Sequence, residues 1–136
     1  MKKDIQKMIE EFVQDELLLK EITKIDNVIK SDYDAKLSVK IGKRIDKNIK
    51  AILQSNCGIE EFRKLLKHDN VFIRFIAARY LYPLNPKECE KIMNDYKNTL
   101  TDKLEISNTE DIIQGLKSNK KIFMDQFKEI YDSKIF

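Results

Sequence analysis

The sequence predicts an all-α fold, a compact bundle of about five to seven helices, from three observations. Apolar residues recur at spacings of three and four along most of the chain, as they do on one face of an α-helix. Only 3 Gly and 2 Pro interrupt the 136 residues, which favours long helices over many strands and turns. No stretch alternates apolar and polar residues as a half-buried strand does. We expect a single domain spanning residues 1–136.

The first predicted helix begins near the N-terminus. Ile5, Ile9 and Phe12 mark its apolar face. Because no Pro or Gly interrupts the pattern, we expect it to continue towards Ile25 and Ile29.

A second helix is predicted from a boundary near residues 30–33 to about Gln54. Ser31 followed by Asp34 is typical of an N-cap with a carboxylate in the first turn. Two stripes then oppose each other at about 100° per residue. The apolar stripe contains Leu37, Ile41, Ile45, Ile49 and Ile52. The basic stripe contains Lys36, Lys40, Lys43, Lys47 and Lys50, with Arg44 on its flank.

The next break is predicted at residues 55–58, where Gly58 suits a left-handed helix end or a turn. A short third helix follows over residues 59–66. Asp69 or Asn70 is then expected to cap a fourth helix, which Pro83 stops. Pro86 opens a fifth helix that runs to about residue 97.

The fourth helix is expected to form the centre of the core. Phe72, Phe75 and Ile76 share a face, and Ala77 and Ala78 leave room for a neighbouring backbone. A helix at the centre of the core should be more sensitive to truncation of its side chains than the surrounding elements.

A C-terminal helical extension is predicted over about residues 107–132. The loop before it is placed at residues 98–108, because Ser107 and Glu110 have the spacing of a capping box. Either Gly115 or the pair Ser118 and Asn119 is expected to divide the extension into two short helices.

A resemblance to a family rests on the order of features in residues 2–93. Leu65-Leu66-Lys67-His68-Asp69 is followed by Val71-x-x-Arg74-x-x-Ala77-Ala78 and a break at Pro86. This arrangement resembles one unit of a small bacterial HEAT-like helical-repeat family of unknown function. The resemblance implies a stack of helices that binds other molecules, and it transfers no catalytic residue. Residues after Asn98 fall outside it.

Charge is unevenly distributed along a chain of net charge +3. Residues 35–67 carry 9 basic side chains but only the acids Asp46, Glu60 and Glu61. The basic stripe is either a solvated outer face or a surface for phosphates or an acidic protein. Because no aromatic residues are interleaved with the lysines, it is a diffuse electrostatic signal for nucleic acid.

Further candidate contacts lie around the end of the fourth helix. Arg79, Tyr80 and Tyr82 are candidates for binding, since Tyr is enriched at protein interfaces. Arg74 is expected to be structural, pairing with a carboxylate or with a helix-end carbonyl, with Asp69 as one local partner.

Catalytic, metal and cofactor sites are not expected. Cys57, Cys89 and the single His68 lack the spacing of zinc ligands. They also lack a third member and an oxyanion-binding loop for nucleophilic catalysis. We therefore expect no enzyme activity, no metal and no cofactor.

The predicted function is a non-enzymatic macromolecule-binding module, with another protein as partner, in an immunity-type or scaffold role. Nucleic-acid binding through the basic helical face is the alternative. The N-terminus lacks the apolar run of a signal peptide and no long apolar stretch follows, so a cytoplasmic protein without membrane contact is expected. The abundance of Lys, Ile and Asn suggests a bacterial source.

Overall fold

The computed structural model describes residues 2–23 and 32–131. Over these residues all regular secondary structure is helical, and there is no strand. This confirms the predicted all-α class and the upper predicted number of helices. The α-helices are α1 (Lys2–Ile22), α2 (Asp32–Leu53), α3 (Asn56–Arg63), α4 (Val71–Leu81), α5 (Pro86–Lys97), α6 (Lys103–Lys117) and α7 (Lys121–Ile130), and a 3-10 helix (Lys64–Lys67) follows α3. The predicted continuation to Ile29 and the predicted Ser31 cap lie outside the described residues.

The chain divides into two compact units, Met1–Glu61 and Phe62–Phe136. The first unit contains α1, α2 and the start of α3. The second contains the remaining helices. The single domain spanning residues 1–136 therefore stays a prediction.

In the first unit, α1 and α2 pack against each other in antiparallel orientation. Glu11 contacts Asn48 and Asp15 contacts Arg44, so that positions later in α1 meet positions earlier in α2. The apolar stripe predicted for α2 is buried at Ile41, Ile45, Ile49 and Ile52, and half-buried at Leu37.

The break after α2 differs from the prediction at Gly58. The Ser55 hydroxyl accepts a hydrogen bond from the Gly58 amide at 3.0 Å, so Ser55 caps α3 and Gly58 lies within its first turn. Gly58 does not have a positive φ. A Cβ at this position would lie 1.8 Å from the Ile52 carbonyl oxygen. The left-handed conformation was therefore wrong, and glycine is needed here because two backbones approach closely.

In the second unit, α4 and α5 form the packed centre. The Asn70 side chain accepts hydrogen bonds from the amides of Phe72 and Ile73, so Asn70 rather than Asp69 is the cap. The helix ends at Leu81, and Pro86 occupies the first turn of α5 as predicted.

Small and aromatic residues together fill the space between α4 and α5. Phe75, Ala77 and Ala78 are buried as predicted, whereas Phe72 is half-buried. The Phe75 ring stacks on the Tyr96 ring with centroids 4.5 Å apart. The α4 face is thus central to the core of the second unit.

The start of α6 was predicted five positions too late. The Asp102 carboxylate accepts a hydrogen bond from the Glu105 amide at 3.0 Å, and α6 begins at Lys103. Ser107 therefore lies inside the helix, and the capping box at this residue was wrong. Asp102 and Glu105 have the same spacing as Ser107 and Glu110, and the earlier start adds backbone hydrogen bonds to the helix.

A turn separates α6 from α7 at one of the two predicted places. Ser118 follows the last residue of α6, and Asn119 takes the left-handed conformation with φ 54°. Gly115 stays inside α6, where a Cβ would lie 2.3 Å from the Phe123 ring. The other end of α7 is fixed to α4, since the Tyr131 hydroxyl donates to the Tyr80 carbonyl.

Candidate binding surface

The basic stripe of α2 is an exposed row of lysines on the helix face opposite the buried isoleucines. We call it the lysine row, and its members are Lys36, Lys40, Lys43, Lys47 and Lys50, all exposed. At a rise of 1.5 Å per residue the row extends for about 21 Å along the helix. Among the described residues no carboxylate lies within ion-pair distance of these ammonium groups. Asp46 is exposed beside Lys43 and Lys50 on the same helix, so the row presents an excess of positive charge bordered by one carboxylate.

Arg44 lies beside the row but is held by α1. Its Nε donates to Asp15 Oδ2 at 2.7 Å and its Nη2 donates to Asp15 Oδ1 at 2.6 Å. Glu11 lies 3.9 Å from the same guanidinium group. The hydrogen bonds that Arg44 donates to Asp15, followed by the negative charge of Asp15, raise the pKa of Arg44 above its ordinary value. The bidentate pair makes Arg44 a part of the α1–α2 packing.

The same side of α2 contains a second polar contact to α1. Asn48 is buried and its amide donates to Glu11 Oε1 at 2.8 Å. Because Asn48 lies four residues after Arg44, one stripe of α2 is fixed against α1 at two levels. Together with the buried isoleucines, these contacts fix the rotation of α2 about its axis and leave the lysine row in solvent.

Next to the lysine row lie two residues that the sequence analysis did not single out. Val39 is 58% exposed although it is apolar. Gly42 lies one turn further along, and no atom comes within 4 Å of a Cβ built there. An apolar residue off the buried stripe and a glycine inside a helix are signals that the sequence already carried.

The other predicted contact residues belong to the second unit. Arg79 is half-buried, with its guanidinium carbon 5.8 Å from the centroid of the Phe75 ring. The Tyr80 ring meets Phe62 edge-on at 6.4 Å. Tyr82 is half-buried at the end of α4, and burial, followed by the charge of Glu90, raises its pKa. Arg79 and Tyr80 thus contribute to packing within their own unit.

Arg74 has the structural role that was predicted, and of the two predicted kinds of partner it contacts backbone carbonyls. Its Nη1 donates to the carbonyls of His68 and Asp69, which follow the 3-10 helix. Asp69 is therefore a local partner by its carbonyl oxygen, and both acceptors belong to the same unit as Arg74.

A polar groove of about 430 Å³ lies between α5 and α6. Two ion pairs cross it, Lys117 with Glu90 at 3.1 Å and Lys97 with Glu110 at 3.9 Å. These four charges are paired with each other, and Asp111, which also lines the groove, leaves it with a net charge of one negative unit.

The thiols lie in different environments. Cys57 is exposed and Cys89 is buried. Burial, followed by the charge of Glu88, raises the pKa of Cys89 to about 12, which keeps the thiol protonated at neutral pH. In the described part of the chain, no three metal-ligating side chains come together. The helices described are also too short or too polar to cross a membrane.

Comparison with known proteins gives no relative of this chain. No family model matches it, and no curated protein or solved structure is significantly similar. The resemblance to HEAT-like repeats therefore remains a prediction.

Proposed function

We propose that this protein is a non-enzymatic binding module that recognises another protein through the lysine row of α2. The observation that supports the proposal is the exposure of five lysines in one row, without a carboxylate partner among the described residues. Such a row attracts an acidic surface and accelerates the encounter with it. A HEAT-like architecture and an immunity-type or scaffold role are part of the same proposal.

Nucleic-acid binding through the same row is the second candidate, because phosphates are attracted by the same charges. The row offers no arginine, amide or aromatic group for reading base edges or for stacking. Lysines alone give binding that falls steeply with salt. The protein partner is therefore favoured.

Affinity purification of the full-length tagged chain from its native cells tests this proposal. Three forms are compared: the parent, Lys36→Glu/Lys43→Glu/Lys50→Glu, and the control Lys87→Glu/Lys103→Glu/Lys121→Glu. The control changes the net charge equally at exposed lysines of the second unit. We expect the parent and the control to retain the same partner proteins at about 0.15 M salt, and the α2 variant to lose them.

Nuclease treatment before elution distinguishes the two candidates. Partner proteins should remain bound after nucleic acid has been removed. If the captured material depends on nucleic acid, or if both charge variants capture the same proteins as the parent, binding to protein through the lysine row is contradicted.

A further inference from the structure

The spacing of the lysine row indicates what kind of surface fits it. Successive lysines are separated by four, three, four and three residues, so the pattern repeats every seven residues. A seven-residue repeat on one helix is matched by a second helix that lies alongside it with the same repeat. At a rise of about 1.5 Å per residue the row is about 21 Å long, and a straight acidic helix of the same length can lie along all of it.

The residues beside the row supply the apolar contact that ion pairs need. Exposed ion pairs contribute little by themselves, because water screens them and long side chains lose freedom. Val39 lies one turn from both Lys36 and Lys43 and exposes an apolar side chain. A partner with an apolar residue next to its carboxylates can cover Val39 and remove water from the adjacent pairs.

Gly42 is a further indication, independent of charge. Glycine inside a helix is less favourable than alanine. Contacts among the described residues do not require a glycine at position 42, since a Cβ built there would meet no atom within 4 Å. A helix packed against α2 would approach the backbone closely at this position, where a larger side chain would hold it away.

We propose that the partner segment is an acidic amphipathic α-helix that lies along α2. The carboxylates of this partner helix face the lysine row. Its apolar flank covers Val39 and lies against Gly42. This inference rests on the proposed function, because it names the chemistry of the partner at the same surface.

Three fluorescent probes test the inference with the full chain. The first is a helical peptide of about three heptads, with glutamate at the first and fifth positions, leucine at the fourth and alanine elsewhere. The second has the same composition, with the glutamates distributed around the helix. The third is a DNA duplex of about 20 base pairs, which offers phosphates without an acidic helix.

Anisotropy titrations at about 0.15 M salt should show the first peptide binding at least about tenfold more tightly than either other probe. Gly42→Leu should weaken the first peptide by about tenfold or more without loss of helical circular dichroism. Lys36→Glu/Lys43→Glu/Lys50→Glu should abolish its binding, and Lys87→Glu/Lys103→Glu/Lys121→Glu should leave it unchanged.

The opposite results separate the inference from the proposed function. Equal binding of both peptides, or full affinity in Gly42→Leu, would overturn the packed helix and leave an acidic protein partner in place. Tighter binding of the duplex than of both peptides would overturn both. Failure of all three probes to bind would overturn the acidic helix, while the affinity purification would still decide the proposed function.

Discussion

The pairs α1–α2 and α4–α5 both bury apolar side chains, but they differ in the contacts that accompany this burial. Between α1 and α2, Arg44 pairs with Asp15, which is only 3% exposed, and Asn48 donates to Glu11. Between α4 and α5, Phe75 stacks on Tyr96 beside buried alanines. Directional hydrogen bonds fix which way α2 faces, whereas apolar contacts depend mainly on volume and shape.

This difference suggests a division of roles. An apolar core such as that of α4–α5 stabilises a fold but presents little specific chemistry. The α1–α2 pair orients α2 so that its lysine row stays in solvent. The first unit is therefore expected to carry recognition, while apolar burial in both units contributes to stability.

The largest expected effect is in the second unit. Phe75→Ala removes a buried, stacked ring and should lower the free energy of unfolding by about 3 to 5 kcal/mol. Denaturant unfolding followed by circular dichroism measures the change. The control Val39→Ala, at an exposed site of α2, should stay within about 0.5 kcal/mol of the parent. Similar losses for both variants would show that Phe75 is not central to the core of the second unit.

The polar contact of the first unit should be the next most sensitive. Arg44→Met leaves the buried Asp15 carboxylate without its guanidinium, and we expect a loss of stability smaller than that of Phe75→Ala, since Arg44 is itself 41% exposed. Adding Asp15→Leu should restore much of the loss, because the buried charge is then removed.

A double-mutant cycle by chemical denaturation checks this coupling. Arg44→Lys is the matched control, since it keeps the charge but cannot form the bidentate pair. If the effects of Arg44→Met and Asp15→Leu on stability are additive, the Arg44–Asp15 pair does not specify how α1 and α2 pack.

Glycines of the first unit should respond with opposite signs to the same substitution. Gly42→Ala should raise the free energy of unfolding by up to about 1 kcal/mol, because space is open and alanine favours the helix. Gly58→Ala should lower it by about 1 to 3 kcal/mol, because the Cβ meets the Ile52 carbonyl. Thermal unfolding of both variants shows whether each substitution raises or lowers stability. Destabilisation by Gly42→Ala would show that there is no open space for a Cβ at this position.

The smallest effect concerns the buried thiol of the second unit. The folded protein raises the pKa of Cys89 from 9.0 to about 12, so it holds a proton that the unfolded chain releases above pH 9. This stabilisation is complete below pH 9 and is lost as the pH rises towards 12. At about pH 9.5 the loss should be below about 1 kcal/mol.

Stability measured against alkaline pH, in the parent and in Cys89→Ala, tests this linkage. The variant should show a weaker decline above pH 9 than the parent. A thiol reagent should modify Cys57 rapidly and Cys89 only on unfolding, because Cys57 is exposed and Cys89 is buried. Rapid modification of both thiols in the folded protein would contradict the burial.

The sequence by itself determined the all-α class, most of the helix boundaries and the opposition of lysines and isoleucines on α2. Each depends on residues within a turn or two of one another, and the 3.6-residue period relates them directly. Asn70 and Pro86 acted as predicted for the same local reason. At α6, two capping patterns competed within six residues, and local spacing could not choose between Asp102 and Ser107.

Tertiary structure alone decided the roles that depend on contacts between one helix and another. Arg44 lies on the flank of the basic stripe in sequence, but Asp15, 29 positions earlier, binds it and makes it part of the α1–α2 packing. Gly58 was assigned a turn because its contact with Ile52 depends on how the chain folds back. A helical period specifies which face a residue occupies, but the partner on that face is set by packing between helices, which the period does not encode.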